Sequence, residues 1–171
     1  MYSTAPPRAS GGNIDCRELV PGTRLFLPIA VDGARFSAGD CHARQADGEV
    51  SQVAIECPLE HGELTLTVRE APALATPVAW TPIAWLTFGF DEDLDEAAAT
   101  AIEAMLELMG REHGLARADA LALASLVVDL HVTGRQRHQR RPCEAAARRD
   151  PLHDNHLRWL TRSSFPTSAR A

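Results

Sequence analysis

The densest run of chemistry-bearing side chains is Gly39-Asp40-Cys41-His42-Ala43-Arg44-Gln45-Ala46-Asp47-Gly48-Glu49-Val50, followed within one strand length by Glu56. It gathers carboxylates, an imidazole and an amide in a loop between two expected strands, where side chains can converge on one point without being buried in a sheet. Asp40 and His42 stand two positions apart, so on extended backbone they face the same side, as two ligands of one metal ion would. The same residues also read as a polar turn with Asp47-Gly48 as its tight corner, and two ligands alone do not make a site. Spacing leaves both readings open.

The elements around this loop read as strands first and helices afterwards. Thr23 to Val31 alternates at period two through Leu25, Leu27, Ile29 and Val31; Pro28 marks an edge strand, and Asp32-Gly33 turns the chain into Ala34 to Ala38 as a hairpin. Further strands are expected over Glu49 to Cys57, over Glu63 to Glu70 with Leu64, Leu66 and Val68 on one face, and over Ile83 to Phe90. From Asp91 the period becomes helical through Leu94, Ala98, Ala101, Ile102, Met105, Leu106 and Met109, with Gly110 placed to stop the helix. The acids Asp91, Glu92, Asp93, Asp95 and Glu96 precede or open it; a capping box of Asp93 with Glu96 is one reading of them, metal binding the other. A second helix runs from Arg117 to about Leu126 and leads into a strand over Val127 to Thr133. The order predicts an α+β fold: a β-rich N-terminal part with hairpins, then two helices and a short strand.

Composition sets the boundaries. With 171 residues, 45% hydrophobic and 23% charged, the chain has the material for one domain with a core. Its basic residues are all arginine. Residues 1–133 carry 20 acids and 8 arginines, whereas 134–171 carry 3 acids and 9 arginines, a swing from −12 to +6. The division predicts a domain over 6–133 and a basic, disordered tail over 134–171 without sustained periodicity. That tail lacks the interleaved aromatics that base recognition uses, so nucleic acid is not the expected partner. The longest apolar runs are broken by Pro77, Pro82 and Asp129, which predicts no membrane span. Cys16, Cys41, Cys57 and Cys143 form no Cys-x-x-Cys pair and read as free thiols of a cytoplasmic protein. His61, His113 and His131 read as surface or packing residues.

Several ordered motifs resemble the acetamidase/formamidase family. Pro6-Pro7-Arg8 with Gly11-Gly12-Asn13-Ile14-Asp15 resembles its Pro-Pro-Arg-x-x-Gly-Gly-Asn-x-Asp segment, and Gly22-Thr23-Arg24-Leu25-Phe26-Leu27-Pro28 the following strand. Phe36 to Val50 resembles its Gly-Asp-x-His-x-x-Gln-x-x-Gly-Glu-Val signature. Ala54-Ile55-Glu56, Phe88 to Leu94 and Ala124 to Leu130 continue the match, which reaches from Pro6 to Thr133. Departures are Cys41 and Ala46, where glycine is common, and Ser51-Gln52 in place of Cys-Gly.

The resemblance implies hydrolysis of short-chain amides such as formamide or acetamide to carboxylate and ammonia, by water attack assisted by a divalent metal, zinc or calcium. It implies Asp40 and His42 as metal contacts, Glu49 as general acid/base, and Asn13, Asp15 and Gln45 as substrate-side groups, with Glu56 held as a structural strand carboxylate. Family members carry a further region before the Pro-Pro-Arg segment that contributes to the active site. This chain is therefore expected to correspond to the C-terminal half, as a fragment, an inactive remnant, or a half complemented by a separately encoded N-terminal partner; a homo-oligomer is the other expected assembly. After Thr133 the family continues with a Gln-x-Val-Asn-Gly-Val-like strand. Codons for Arg137 to Pro142 read one nucleotide later permit such a strand, so a frameshift near Gly134 is a further expectation.

Overall fold

The structure, a computed structural model, describes residues 5–70 and 73–134 in full and 141–148 as backbone. Its elements are β1 (Arg24–Phe26), β2 (His42–Arg44), β3 (Ile55–Glu56), β4 (Val78–Trp80), β5 (Ala84–Asp91), α1 (Leu94–His113), α2 (Arg117–Val127), β6 (Val128–Val132) and β7 (Arg141–Arg148). Five strands form an antiparallel sheet in the order β1-β4-β5-β7-β6, and β2 pairs with β3 apart from it. The α+β class expected from the order of periodicities is the one observed.

Strand β5 organises the core because both of its faces are covered. Leu86, Phe88 and Phe90 alternate onto one face, where they pack with Ala79, Ala84, Ile14 and Cys16. Trp85 lies on the other face against Met105, Leu106, Met109 and Ala120 of the two helices. Here Thr87 Oγ1 donates to the Ala101 carbonyl at 2.8 Å, and Gly89 lets the helix approach the strand. A Cβ at Gly89 would stand 2.0 Å from the Ala97 carbonyl oxygen and 2.7 Å from the Ala101 nitrogen. Both neighbours are backbone, so neither can rotate away. Gly89→Ala is expected to cost about 3 kcal/mol, the upper end for overpacking, read as a lower urea midpoint at unchanged slope.

The acids before α1 act as caps. Asp93 is the N-cap and accepts from the Asp95 N–H at 2.8 Å, while Asp91 Oδ1 accepts from the Asp93 N–H at 3.0 Å. Asp91 thus takes the backbone donor that a capping box would give to Glu96. The helix does not stop at Gly110 as expected. It ends at His113, with Gly114 at φ 66° and its N–H on the Gly110 carbonyl at 2.9 Å. Gly110 lies under the returning chain, where a Cβ would meet the Leu115 carbonyl at 3.3 Å.

Several expected strands are shorter than their periodicity. Thr23 to Val31 contributes only β1, at the sheet edge. A turn does form at Asp32-Gly33, closed by the Ala34 N–H on the Val31 carbonyl at 3.1 Å, but Ala34 and Arg35 both take positive φ and no hairpin strand returns. Glu49 to Cys57 shrinks to β3 because Glu49 and Gln52 also have positive φ. Glu63 to Glu70 makes no ladder, and Leu64, Leu66 and Val68 are exposed. A period of two states which face is apolar; a strand also needs a neighbour to bond.

The expectation of a disordered tail needs amendment over one stretch. Residues 141–148 form β7, which lies between β5 and β6 and pairs with both. Pro142 and the alanine-rich sequence argue locally against a central strand, so pairing on two sides overrides local preference. Residues 135–140 and 149–171, with the rest of the basic arm, lie outside the described residues.

Candidate metal centre and active site

The β2–β3 pairing sets His42 opposite Glu56, and the loop leading into β2 brings Asp40 to the same side. His42 Nε2 stands 3.0 Å from Glu56 Oε2 and 3.4 Å from Asp40 Oδ1. One ligand atom from each of the three residues lies within 4.8 Å of the others, the one such group of His, Cys, Asp or Glu among the described residues. Ligands about 2.0 Å from a tetrahedral ion stand about 3.3 Å apart, so the two separations from His42 Nε2 fit one small divalent cation. The donor set of one imidazole nitrogen with carboxylate oxygens suits a zinc-type ion better than calcium, which prefers six to eight oxygens.

A second layer fixes the histidine. His42 Nδ1 faces Gln45 Oε1 at 3.3 Å, and Gln45 Nε2 donates to the Asp15 carbonyl. An Nδ1–H donated to Gln45 leaves the Nε2 lone pair facing the two carboxylates. Both ends of the Gln45 amide are therefore engaged by protein. Asn13 Nδ2 donates to the Ala5 carbonyl at 2.9 Å, which braces the N-terminal segment.

The loop after β2 is clamped at its far end. Asp47 Oδ2 receives Arg17 at 3.1 Å and His131 Nδ1 at 3.2 Å, and the Gly48 N–H donates to the Thr133 carbonyl at 3.1 Å. Three segments remote in sequence are thereby joined: the N-terminal loop, the signature loop and β6. Glu49 follows directly, at φ 38° with its N–H on the Ala46 carbonyl at 3.3 Å. The sequence reading missed Glu56, held as a strand carboxylate, and His131, held as packing. Glu56 joins the site only through the β2–β3 register, and nothing local in the sequence joins His131 to Asp47.

Charge crowding bears on two groups. Burial pushes the Glu49 carboxyl above its ordinary value; the negative charge of Asp15, then Glu56 and Asp40, adds to the rise while His42 opposes it. Burial lowers His42, but the Gln45 hydrogen bond and the charges of Glu56, Asp40 and Glu49 outweigh it, so the imidazole is raised overall.

Both folded values exceed the unfolded ones, 4.5 for Glu49 and 6.5 for His42, so the stability each contributes is complete below those values and lost as pH rises through the folded ones. The chelated protein should therefore melt progressively lower as pH rises past 4.5 and again past 6.5. Glu49→Gln with His42→Asn should flatten that slope in thermal melts. Added zinc should reverse it in the upper range, because the imidazole must lose its proton to bind metal.

The chain is similar to known proteins over part of its length. Residues 2–74 match the profile of the Acetamidase/Formamidase family. The chain is 48% identical over 48 residues to an acetamidase of Mycolicibacterium smegmatis, covering 28% of this chain and 12% of that one. It is 44% identical over 48 residues to a formamidase of Methylophilus methylotrophus, with the same coverage, 28% and 12%. The crystal structure of an acetamidase from Bacillus halodurans superposes with a TM-score of 0.71 at 25% identity, covering 92% of this chain and 50% of that one. The chain thus spans about half the length of that solved relative. Among the described residues no helix is long and apolar enough to cross a membrane. Over residues 2–74 the chain is thus similar to the acetamidase/formamidase family, and its fold is similar to that of the solved acetamidase.

Proposed function

We propose that the site hydrolyses short-chain linear amides, of the size of formamide and acetamide, to carboxylate and ammonia. The observation that carries the reading is the convergence of Asp40, His42 and Glu56 on one point beside a carboxyl, Glu49, whose pKa is raised. A divalent cation of the zinc type, when bound by those three residues, supplies Lewis acidity toward the amide carbonyl oxygen and the attacking water. Glu49 takes a proton from that water and returns it to the leaving nitrogen, a task suited to a carboxyl above its ordinary range. Gln45 orients His42 and is not itself a substrate contact in this reading. Asp15 keeps Glu49 protonatable by charge and carries the carbonyl that anchors Gln45.

Incubation with formamide and acetamide should release ammonia and the matching carboxylate in equal amounts. Carboxylate without ammonia, or neither, counts against amide hydrolysis. A second reading is favoured by one observation: the solved relative is twice as long, and Ile29, Val31, Leu64, Leu66 and Val68 are exposed here. In that reading the chain is a structural half that is inactive until joined by a separately encoded N-terminal half. Ammonia release that appears only when such a half is added distinguishes it.

A further inference from the structure

We propose that Cys41 and Cys57 are a cross-strand dithiol that closes to a disulfide by exchange with a small disulfide such as glutathione disulfide. Cys41 and Cys57 are the next residues outward from the His42–Glu56 pair, and one backbone hydrogen bond joins them. The Cys57 N–H donates to the Cys41 carbonyl at 3.3 Å, and Cys57 Sγ lies 3.9 Å from the same oxygen. Residues paired this way stand about 5.5 Å apart between Cα atoms, within the range a disulfide spans. Both thiols are free and half-buried, so a small oxidant can reach them. By alternation they face away from His42 and Glu56, so the bond would form behind the metal centre without removing a ligand. The pair sits just past a two-residue ladder, where the backbone can adjust to the bond. Cys16 is buried, with its Sγ on Glu18 Oε2 at 3.4 Å, and is not the natural competitor.

The exchange balances without any other reductant. One protein thiolate attacks a sulfur of glutathione disulfide and expels one glutathione thiolate, leaving a mixed disulfide. The second protein thiolate then attacks the protein-side sulfur and expels the other. Two protein thiols are oxidised, one small disulfide is reduced to two thiols, and the two protons pass to the released thiolates. This inference stands apart from the hydrolase reading.

The test is oxidation of the folded full chain with glutathione disulfide, alkylation of remaining thiols, and non-reducing tryptic mapping. Cleavage after Arg35, Arg44 and Arg69 leaves Cys41 in peptide 36–44 and Cys57 in peptide 45–69. The expected result is these two peptides joined, with a mass lower by two hydrogens than their sum. Cys16→Ser should leave the joined species intact, whereas Cys41→Ser should replace it by a glutathione adduct on peptide 45–69. Recovery of both peptides only alkylated or only as separate glutathione adducts overturns the proposal. So does a joined species that forms only in denaturant, or a link that runs mainly to Cys16 or Cys143.

Discussion

Glu49→Gln should reduce the turnover of formamide by on the order of 10²- to 10⁴-fold, with little change in KM. The substitution keeps the shape of the side chain and removes its ability to take a proton, so it separates proton transfer from packing. The pH profile carries the sharper signature. The rate of the parent protein should fall as pH drops through the titration of Glu49, a carboxyl that burial and the charge of Asp15 push upward in the metal-free protein. The residual rate of the Gln variant should lack this limb. Asp15→Asn removes the charge that lifts Glu49 most, and should move the limb to lower pH while leaving it in place. A full-rate Glu49→Gln protein would remove Glu49 from the chemistry.

Glu56→Ala should weaken zinc binding more than Gln45→Leu does, and both should weaken it more than Glu60→Ala, an exposed acid outside the cluster. Gln45 acts through His42, and loss of such an orienting partner typically costs about 10- to 100-fold in metal affinity. Glu56 offers an oxygen 3.0 Å from His42 Nε2, so its loss takes away a ligand and leaves the imidazole with Asp40 alone. Isothermal titration of the chelated protein with zinc ranks the three variants. Equal affinities for Glu56→Ala and Glu60→Ala would return Glu56 to the strand role that its sequence context suggested.

Those residues show what local pattern can and cannot carry. Asp40 and His42 were legible as a pair because a spacing of two on extended backbone is a local property. Glu56 joins them through a register across a loop with three positive-φ residues, Gly48, Glu49 and Gln52, and no periodicity encodes that path. The helices were legible in type because their apolar stripes are long, although Gly110 misled the end of the first. A glycine stops a helix only where the chain needs φ above zero, and Gly114 rather than Gly110 meets that need. The exposed stripe of Leu64, Leu66 and Val68 is the opposite case: its alternation is clear, yet among the described residues it has no ladder partner. β7 was hidden because its alanines carry little strand preference and one of its two neighbours, β5, is remote in sequence.

The most direct test follows ammonia release from formamide through one cycle of metal removal and return, with zinc content measured at each stage. The expected results are release by the zinc-loaded chain, loss on chelation, recovery on adding zinc, and no recovery in His42→Ala. Release that persists at full rate in the chelated protein, or is absent from a folded protein carrying zinc at this site, would contradict it.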